Sequence, residues 1–186
     1  EKKMGWKGSD TRSVFFDNMK IPSTNILGNT QKGFNQFLET LTGGRITIAA
    51  LALGISQGAY NLALNYSQER EAFGKKINKF QGVSFKLADM ATQIEATRHM
   101  VYNTAWLKDN NNSIIKEAAM AKLFSSEVAM KITTEAIQIH GGYGYIREYN
   151  VERFFRDAKI LEIGEGTSEV QRIVISREIL KSFNNQ

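Results

Sequence analysis

The chain has 186 residues, of which 42% are apolar and 23% charged, so it can bury a core and is not a disordered segment. Twenty-four Lys and Arg against 19 Asp and Glu give a net charge of +5, which suits a polyanionic ligand but is weak evidence for nucleic acid. The lack of cysteine excludes disulfides, thiolate metal sites and cysteine nucleophiles. No apolar run is expected to reach the roughly 18 residues of a membrane span.

The segment before Pro22, the only proline, has the composition of a β structure. Residues 12–21 are rich in β-branched and aromatic side chains and have turn formers around them. We predict one or two short strands there, followed by a loop to about Gly33. Because an isolated strand pair is marginal in water, residues 1–32 are expected to be the end of a β domain and a linker, and the chain to be truncated.

After Gly33 the hydrophobic period becomes that of an α-helix. Three apolar stripes with spacings of three and four predict three long helices, and a shorter helix is predicted from about Thr167. The short polar connections predict an all-α, up-and-down four-helix bundle over residues 33–186, preceded by one or two short β strands. The predicted inward residues are Ile48, Leu51, Ile55, Ala59, Leu62 and Tyr66; Val83, Leu87, Met90, Ile94, Val101 and Ala105; Ile115, Ala119, Leu123, Ser126, Met130, Thr133 and Ile137; and Val170, Ile173, Val174 and Ile179.

A carboxylate flanked by glycines, Glu165, stands immediately before the last predicted helix. The glycines allow unusual backbone dihedrals and the close approach of a ligand. Thr167 or Ser168 can cap the helix, and Glu169 in its first turn favours the helix dipole. The segment suits a general base, although a helix entry with acidic residues is the commoner explanation of such spacing.

Three other segments could contact a ligand. The glycine-rich run 138–145 could line a cofactor with exposed N–H groups or could simply end a helix; no strand precedes it, so it is not the dinucleotide fingerprint. The cationic turn 70–76 could hold a pyrophosphate, although most such turns are only solvated. The run 43–45 places two glycines in a helix, which indicates close packing or a kink. Neither His99 nor His140 has partners at metal-ligand spacing, so no metal site is predicted.

These features occur together in the order found in the C-terminal helical domain of the acyl-CoA dehydrogenase family, which the chain resembles over nearly all of its length. Residues 1–28 resemble the end of the family's middle β domain, and residues 70–81 resemble its flavin-contacting turn. Residues 138–144 and 153–159 are similar to its C-terminal signature, and residues 165–169 are similar to its catalytic segment.

The resemblance implies α,β-dehydrogenation of a fatty acyl-CoA, as in fatty acid β-oxidation. Glu165 would remove the α proton while the β hydrogen passes as hydride to N5 of FAD, and the backbone N–H of Glu165 and a flavin ribityl hydroxyl would hold the thioester oxygen. The implied substrate-binding residues are Thr42, Gly43, Gly44, Arg45 and Gly166. The implied cofactor-binding residues are Arg70, Phe73, Phe80, Gln81, Gln138, Ile139, His140, Gly141, Gly142, Thr167, Ser168 and Glu169.

The resemblance also implies partners. Some flavin contacts in the family come from a neighbouring subunit, so a homodimer or homotetramer is expected, with an electron-transfer flavoprotein as electron acceptor and no nucleic acid. The compartment would be the cytoplasm in a bacterium and the mitochondrial matrix in a eukaryote. Because the N-terminal helical domain and most of the middle domain are absent, the chain alone is expected to bind flavin poorly and to be inactive.

Several features leave the function open. Many relatives have an aromatic residue at the position of Gly164, and many short-chain relatives have Asp at that of Thr42, so straight, branched and longer substrates are all compatible. Some relatives carry the base at the position of Gly44, which cannot serve. The alternatives are a flavin-fold relative that binds DNA in the alkylation response, an acyl-CoA oxidase, and a structural bundle for assembly. Scattered Lys and Arg argue against the first, and Glu165 in its motif argues against the last.

Overall fold

The computed structural model describes residues 1–184, so the last two residues of the predicted helical domain, 185 and 186, lie outside the described part. Within it, five α-helices and one hairpin make up the regular structure apart from short 3₁₀ turns, and the all-α prediction is confirmed. The helices are α1 (Gly33–Glu69), α2 (Gln81–Asp109), α3 (Ile115–His140), α4 (Val151–Ala158) and α5 (Ser168–Asn184). The antiparallel hairpin of β1 (Glu71–Ala72) and β2 (Lys75–Lys76) connects α1 to α2.

The four long helices run up and down. The C-terminal ends of α1 and α3 meet where Tyr66 stacks on His140, with ring centroids 4.3 Å apart. Lys86, near the start of α2, forms an ion pair with Glu135, near the end of α3, so α2 is antiparallel to α3. The turn that precedes α5 contacts Lys122 in the first half of α3, and Val174 further along lines a cavity with Ile114, so α5 is antiparallel to α3 as well.

The buried face of α1 differs from the predicted apolar stripe. Leu51 is exposed, and Ile48, Ile55, Leu62 and Tyr66 are only half-buried. Small side chains are the fully buried ones, namely Ala49, Ala52, Ser56, Ala59 and Ala63. Because small side chains let two helices approach closely, α1 packs most extensively on the central helix α3, and its larger apolar side chains lie at the edges of that contact.

The predicted inward face of α5 is wrong at three of four positions. Val174 is buried, but Val170, Ile173 and Ile179 are 40%, 66% and 47% exposed. The residues of α5 that are buried against the rest of the chain are Ser168, Gln171 and Val174. The buried face thus recurs every three residues and includes two polar side chains. The more apolar side of the helix is exposed, and hydrophobic periodicity alone does not predict this orientation.

No strand lies between residues 1 and 32 of the described structure, so the strands predicted in residues 12–21 are wrong. A strand needs a neighbour for its ladder of hydrogen bonds, and the hairpin of α1–α2 is the only sheet within residues 1–184. Phe15 and Phe16 are accordingly exposed. The segment is attached to the bundle by Trp6, whose backbone N–H donates to Asp157 Oδ1 at 2.6 Å and whose ring N–H donates to the Asp157 carbonyl at 2.9 Å.

The helix α4, which the sequence analysis did not predict, covers one side of α1 and α3. Its Phe154 lies against Gly58 of α1, where a Cβ would come 2.6 Å from the ring. Val151 and Ala158 are fully buried. An eight-residue helix is shorter than the window of about 11–18 residues over which a hydrophobic period is read from sequence, and its position depends on the shape of the helices beneath it.

By length and composition alone, α1 could cross a membrane, contrary to the expectation from the sequence. No charged residue occurs from Ile46 to Gln68. In the structure, however, α1 packs against α2, α3 and α4, and its Ala-rich face is completely buried. Since a core helix passes the same test, we describe α1 as a core helix of the bundle.

Candidate functional site

Glu165 lies in a turn with left-handed backbone conformation. Its φ is +55°, and that of Gly166 is +90°. A positive φ is unfavourable for a residue with a Cβ atom, whereas glycine adopts it freely. The helix α5 begins two residues later, and the Thr167 hydroxyl accepts a hydrogen bond from the Val170 N–H at 3.4 Å, so Thr167 caps the helix as predicted.

The carboxylate of Glu165 lies over Gly44 on α1. A Cβ atom at Gly44 would come 2.7 Å from Oε2 and 3.2 Å from the carboxyl carbon of Glu165. The helix α1 continues through Gly43 and Gly44 without a break. Gly44 therefore provides the space that the carboxylate occupies.

Arg45 lies buried beside this carboxylate, only 7% exposed, and its Nε has no hydrogen-bond partner within residues 1–184. Burial lowers the pKa of the Arg45 guanidinium, and the nearby charge of Arg177 lowers it further, whereas the charge of Glu165 opposes both effects. A cavity of about 470 Å³ is lined by Thr42, Gly43 and Arg45 together with Lys108 and Arg177. One carboxylate, Glu39, also lines this cavity, so three cations against one anion leave a net positive charge that favours an anionic ligand. Lys108 and Arg177 were missed by sequence reasoning, because they lie on α2 and α5 and reach this cavity only through helix packing.

A second cavity, of about 520 Å³, lies where α1 and α3 end. Its lining includes Tyr66, Arg70, Ile139, His140, Gly141, Gly142 and Tyr143. The guanidinium of Arg70 lies 5.5 Å from the ring centroid of Tyr143. Gly141, with φ of +58°, ends α3, and no atom lies within 4 Å of a Cβ placed at Gly141 or Gly142. This arrangement fits a nucleotide cofactor. The guanidinium can bind a phosphate, the aromatic side chains can pack on a ring, and the glycine backbone allows close approach of the ligand.

The remaining candidate residues of the turn after α1 are more exposed. Phe73 occupies the tip of the hairpin with φ of +52° and is 96% exposed. Its ring meets that of Phe80 edge-to-face, with centroids 6.2 Å apart. Gln81 begins α2 and is exposed, as is Gln138 on α3. These side chains form an open surface beside the second cavity rather than a closed site.

The candidate cofactor residues do not converge within one chain. The turn of Glu165 contacts α3 at Lys122, whereas Gly141 follows the last residue of α3. At about 1.5 Å per residue, these points lie roughly 28 Å apart along the helix. The segment 167–169 therefore lies beside the first third of α3, and the residues around Arg70 and Gly141 lie at its C-terminal end.

His140 supports one prediction about stability and pH. Burial lowers the pKa of His140 below the usual 6.5, although a hydrogen bond between its Nδ1 and the Ala136 carbonyl at 2.7 Å opposes the shift. Below pH 6.5 the unfolded chain binds the proton more readily, so the free energy of unfolding should fall as the pH drops from 7 towards 5. Urea unfolding of the chain at several pH values measures this fall.

The His140→Phe variant should lose part of that pH dependence, because phenylalanine keeps the stacking on Tyr66 but does not titrate. His99 is exposed and pairs with Glu95 on the surface of α2. His99→Gln is thus the matched control and should keep the wild-type dependence. Identical pH profiles for wild type and His140→Phe would contradict the assignment.

The chain is similar to known proteins over nearly all of its length. A family model described as "Acyl-CoA dehydrogenase, C-terminal domain" matches residues 31–180. The chain is 56% identical over 179 residues to the probable acyl-CoA dehydrogenase YngJ of Bacillus subtilis (strain 168), covering 96% of this chain and 47% of that protein. It is 48% identical over 181 residues to CarC, a subunit of the caffeyl-CoA reductase-Etf complex of Acetobacterium woodii, covering 97% and 48%.

The fold is also found in solved structures. Butyryl-CoA dehydrogenase from Megasphaera elsdenii has a TM-score of 0.95 and 50% sequence identity, covering 97% of this chain and 47% of that one. A structure of PigA with FAD and proline has a TM-score of 0.84 and 29% identity, covering 88% and 43%. The chain thus spans about half the length of the relatives it matches.

Proposed function

This chain belongs to the acyl-CoA dehydrogenase family, close to its short-chain and butyryl-CoA members, and we propose that it carries the catalytic base of an FAD-dependent acyl-CoA dehydrogenase. The observation that supports this most is the carboxylate of Glu165, held in a left-handed turn against Gly44. In this proposal a short-chain acyl-CoA is oxidised to the trans-2-enoyl-CoA. When bound, FAD supplies the acceptor for the β hydrogen as hydride.

Glu165 removes the α proton in this proposal. The C–H bond at the α carbon of a thioester is only weakly acidic. The base must therefore be well positioned, and the negative charge that develops on the thioester oxygen must be stabilised. The backbone N–H of Glu165 is the proposed donor to that oxygen, with Gly166 packing on the thioester. Exclusion of water by the substrate would strengthen both interactions.

The substrate is proposed to lie along α1 in the cavity of Thr42, Gly43 and Arg45. The cations of Lys108 and Arg177, which also line it, suit the phosphates of coenzyme A. At Gly164 a Cβ atom would meet the Ile160 carbonyl oxygen at 3.4 Å, an ordinary contact, so no tight packing forces glycine there. The absence of a side chain at this position leaves room for the acyl chain beside Glu165.

The flavin is proposed to contact residues from two separate regions of the bundle. Arg70, Phe73, Phe80 and Gln81, with residues 138–142, would hold one part of FAD, and residues 167–169 another. Since these groups lie roughly 28 Å apart along α3 in one chain, we propose that they belong to the sites of two subunits, in a homodimer or homotetramer. An electron-transfer flavoprotein is the proposed acceptor, as the Etf complex that contains CarC suggests. The chain by itself is proposed to bind flavin poorly and to be inactive.

The proposal is tested on the holoenzyme, in which this chain is accompanied by the domains that its relatives carry. The visible flavin spectrum is recorded anaerobically while acyl-CoAs of increasing chain length are added, with free coenzyme A as control. Bleaching by short acyl-CoAs, and not by coenzyme A, is the expected result. Bound flavin that no acyl-CoA bleaches would favour the DNA-binding relative, and rapid reoxidation by oxygen would favour an oxidase.

The proximity of Gly44 to the base gives a further prediction. Gly44→Ala places a methyl group where the carboxylate oxygen lies, at 2.7 Å, and the flexible end of Glu165 must move aside. We expect kcat to fall about 10- to 100-fold, since a displacement of about 1 Å has effects of this size. Stability should not fall, because the side chain can yield and alanine favours the helix.

Gly54→Ala is the matched control, because Gly54 lies in the same helix with no atom within 4 Å of its Cβ position. It should raise the free energy of unfolding by about 0.5–1 kcal/mol and leave kcat unchanged. Equal kcat values for the two variants would show that the carboxylate does not need the space at Gly44. Steady-state assays and urea unfolding provide both readouts.

A further inference from the structure

A fully buried lysine, Lys122 of α3, contacts the turn that carries Glu165. Its Nζ donates a hydrogen bond to the carbonyl of Gly166 at 2.7 Å. Lysine is almost never fully buried without a partner, because its ammonium group loses the hydration of bulk water. Within residues 1–184 no carboxylate lies within ion-pair distance of Lys122. The carbonyl of the turn is thus its hydrogen-bond acceptor.

A second buried donor, Gln171 of α5, contacts the same turn. Its Nε2 lies 3.2 Å from the Glu165 carbonyl and 2.9 Å from the Gly166 carbonyl. Its Oε1 is buried without a hydrogen-bond partner in the described residues. The side-chain amide therefore acts only through its donor end, and that end is directed at two consecutive carbonyls of the turn.

The turn has a conformation that needs such support. Glu165 has a Cβ atom yet adopts φ of +55°, which is unfavourable without compensating contacts. A backbone of this shape directs the Glu165 side chain to Gly44, more than a hundred residues earlier in the sequence. If the turn relaxed to negative φ, its Cβ would point elsewhere, and the carboxylate would leave that position.

The charges around Lys122 are consistent with a role in this turn. Burial has the largest effect and lowers the pKa of Lys122; Glu162, Glu165 and Glu169 raise this pKa and so favour the ammonium form, whereas Arg45 lowers it. A buried group in such surroundings interacts more strongly than it would in water.

We propose that Lys122 and Gln171 are positioning residues that hold the Glu165–Gly166 turn in its left-handed conformation and so keep the base directed at Gly44. The inference rests on the proposed function, since it assigns Glu165 the role of base. It adds two residues, from α3 and α5, that touch neither substrate nor cofactor in the proposal and act only through the backbone of the turn.

The test uses Lys122→Met and Gln171→Met in the holoenzyme, with Lys131→Met as control, an exposed lysine of the same helix. The rate of flavin reduction per bound flavin is measured by anaerobic stopped flow at increasing acyl-CoA concentration. We expect this rate at saturation to fall about 10²-fold in both variants, the size of effect that follows from misplacing a reacting group. The substrate concentration at half saturation should change much less than the rate, because most of the proposed acyl-CoA contacts lie outside the turn, and the control should keep wild-type values for both.

This readout separates positioning from stability. Partial unfolding lowers the amount of bound flavin, but it does not change the rate per bound flavin or the half-saturation concentration. Methionine is close to glutamine in size, and the Gln171 amide bonds only to the turn. Gln171→Met therefore tests the positioning role even if Lys122→Met does not fold. If the folded variants reduce their flavin at the wild-type rate, the positioning role is wrong but the proposed function stands. If no acyl-CoA reduces the flavin of the wild type, both the proposed function and the positioning role are wrong.

Discussion

Glu165→Gln is expected to lower kcat by about 10²–10⁴-fold, the usual contribution of a positioned general base. Glutamine has nearly the same shape and fills the space over Gly44, but it cannot take up the α proton. The backbone N–H proposed to hold the thioester oxygen remains, so the affinity for acyl-CoA should be largely retained. Flavin reduction in the holoenzyme with a short acyl-CoA measures the rate, and binding of the enoyl-CoA product measures the affinity.

Glu95→Gln is the control for the loss of a negative charge. Glu95 lies exposed on α2, where it pairs with Arg98 and His99, and it takes no part in the proposed site. This variant should reduce its flavin at the wild-type rate. A Glu165→Gln enzyme with wild-type kcat would mean that another group abstracts the proton, and the proposed mechanism would be wrong.

Leu161→Ala is expected to lower the free energy of unfolding by about 2–5 kcal/mol, as is typical of a fully buried leucine. Leu161 has no exposed surface and packs in a cluster with Ala52, Ala129 and Ala158. The alanines are too small to fill the space that the leucine leaves, although the partly buried Trp6, Ile48, Ile55 and Met130 also pack against this cluster. Urea unfolding of the chain, followed by circular dichroism, measures the change.

Ile163→Ala, two residues further along the same connection, is the control. Its side chain is 50% exposed, so its truncation should cost only about 0.5 kcal/mol or less. Similar losses for the two variants would mean that Leu161 is not the anchor of this segment. Since Leu161 precedes the turn of Glu165 by only a few residues, the Leu161→Ala holoenzyme should also show a lower kcat.

The helices were largely predictable because their signals are local. The apolar period of α2 gave Leu87, Met90, Ile94 and Val101, all of which are buried. Paired glycines placed the end of α3 at His140. Thr167 was recognisable as a cap because capping depends on residues within one turn of the chain. Where the physical cause lies within a few residues, the sequence is sufficient.

Other elements depended on distant parts of the chain. The strands predicted in residues 12–21 are absent from the described structure, because a strand is stabilised by a partner and not by its composition alone. The buried face of α1 follows from how closely α3 approaches it, which selects Ala49, Ala52 and Ala59 over larger apolar residues. The position of α4 likewise depends on the surface that α1 and α3 present.

The same division applies to the candidate site. The sequence by itself determined the family resemblance, the glycine-flanked Glu165 and the set of residues around it. Only the tertiary structure placed Gly44 under the carboxylate, brought the buried donors Lys122 and Gln171 to the turn, and separated the candidate cofactor residues between the first third and the C-terminal end of α3. The reason is physical: these contacts join side chains from different helices, and their distances are set by helix packing, which no local spacing encodes.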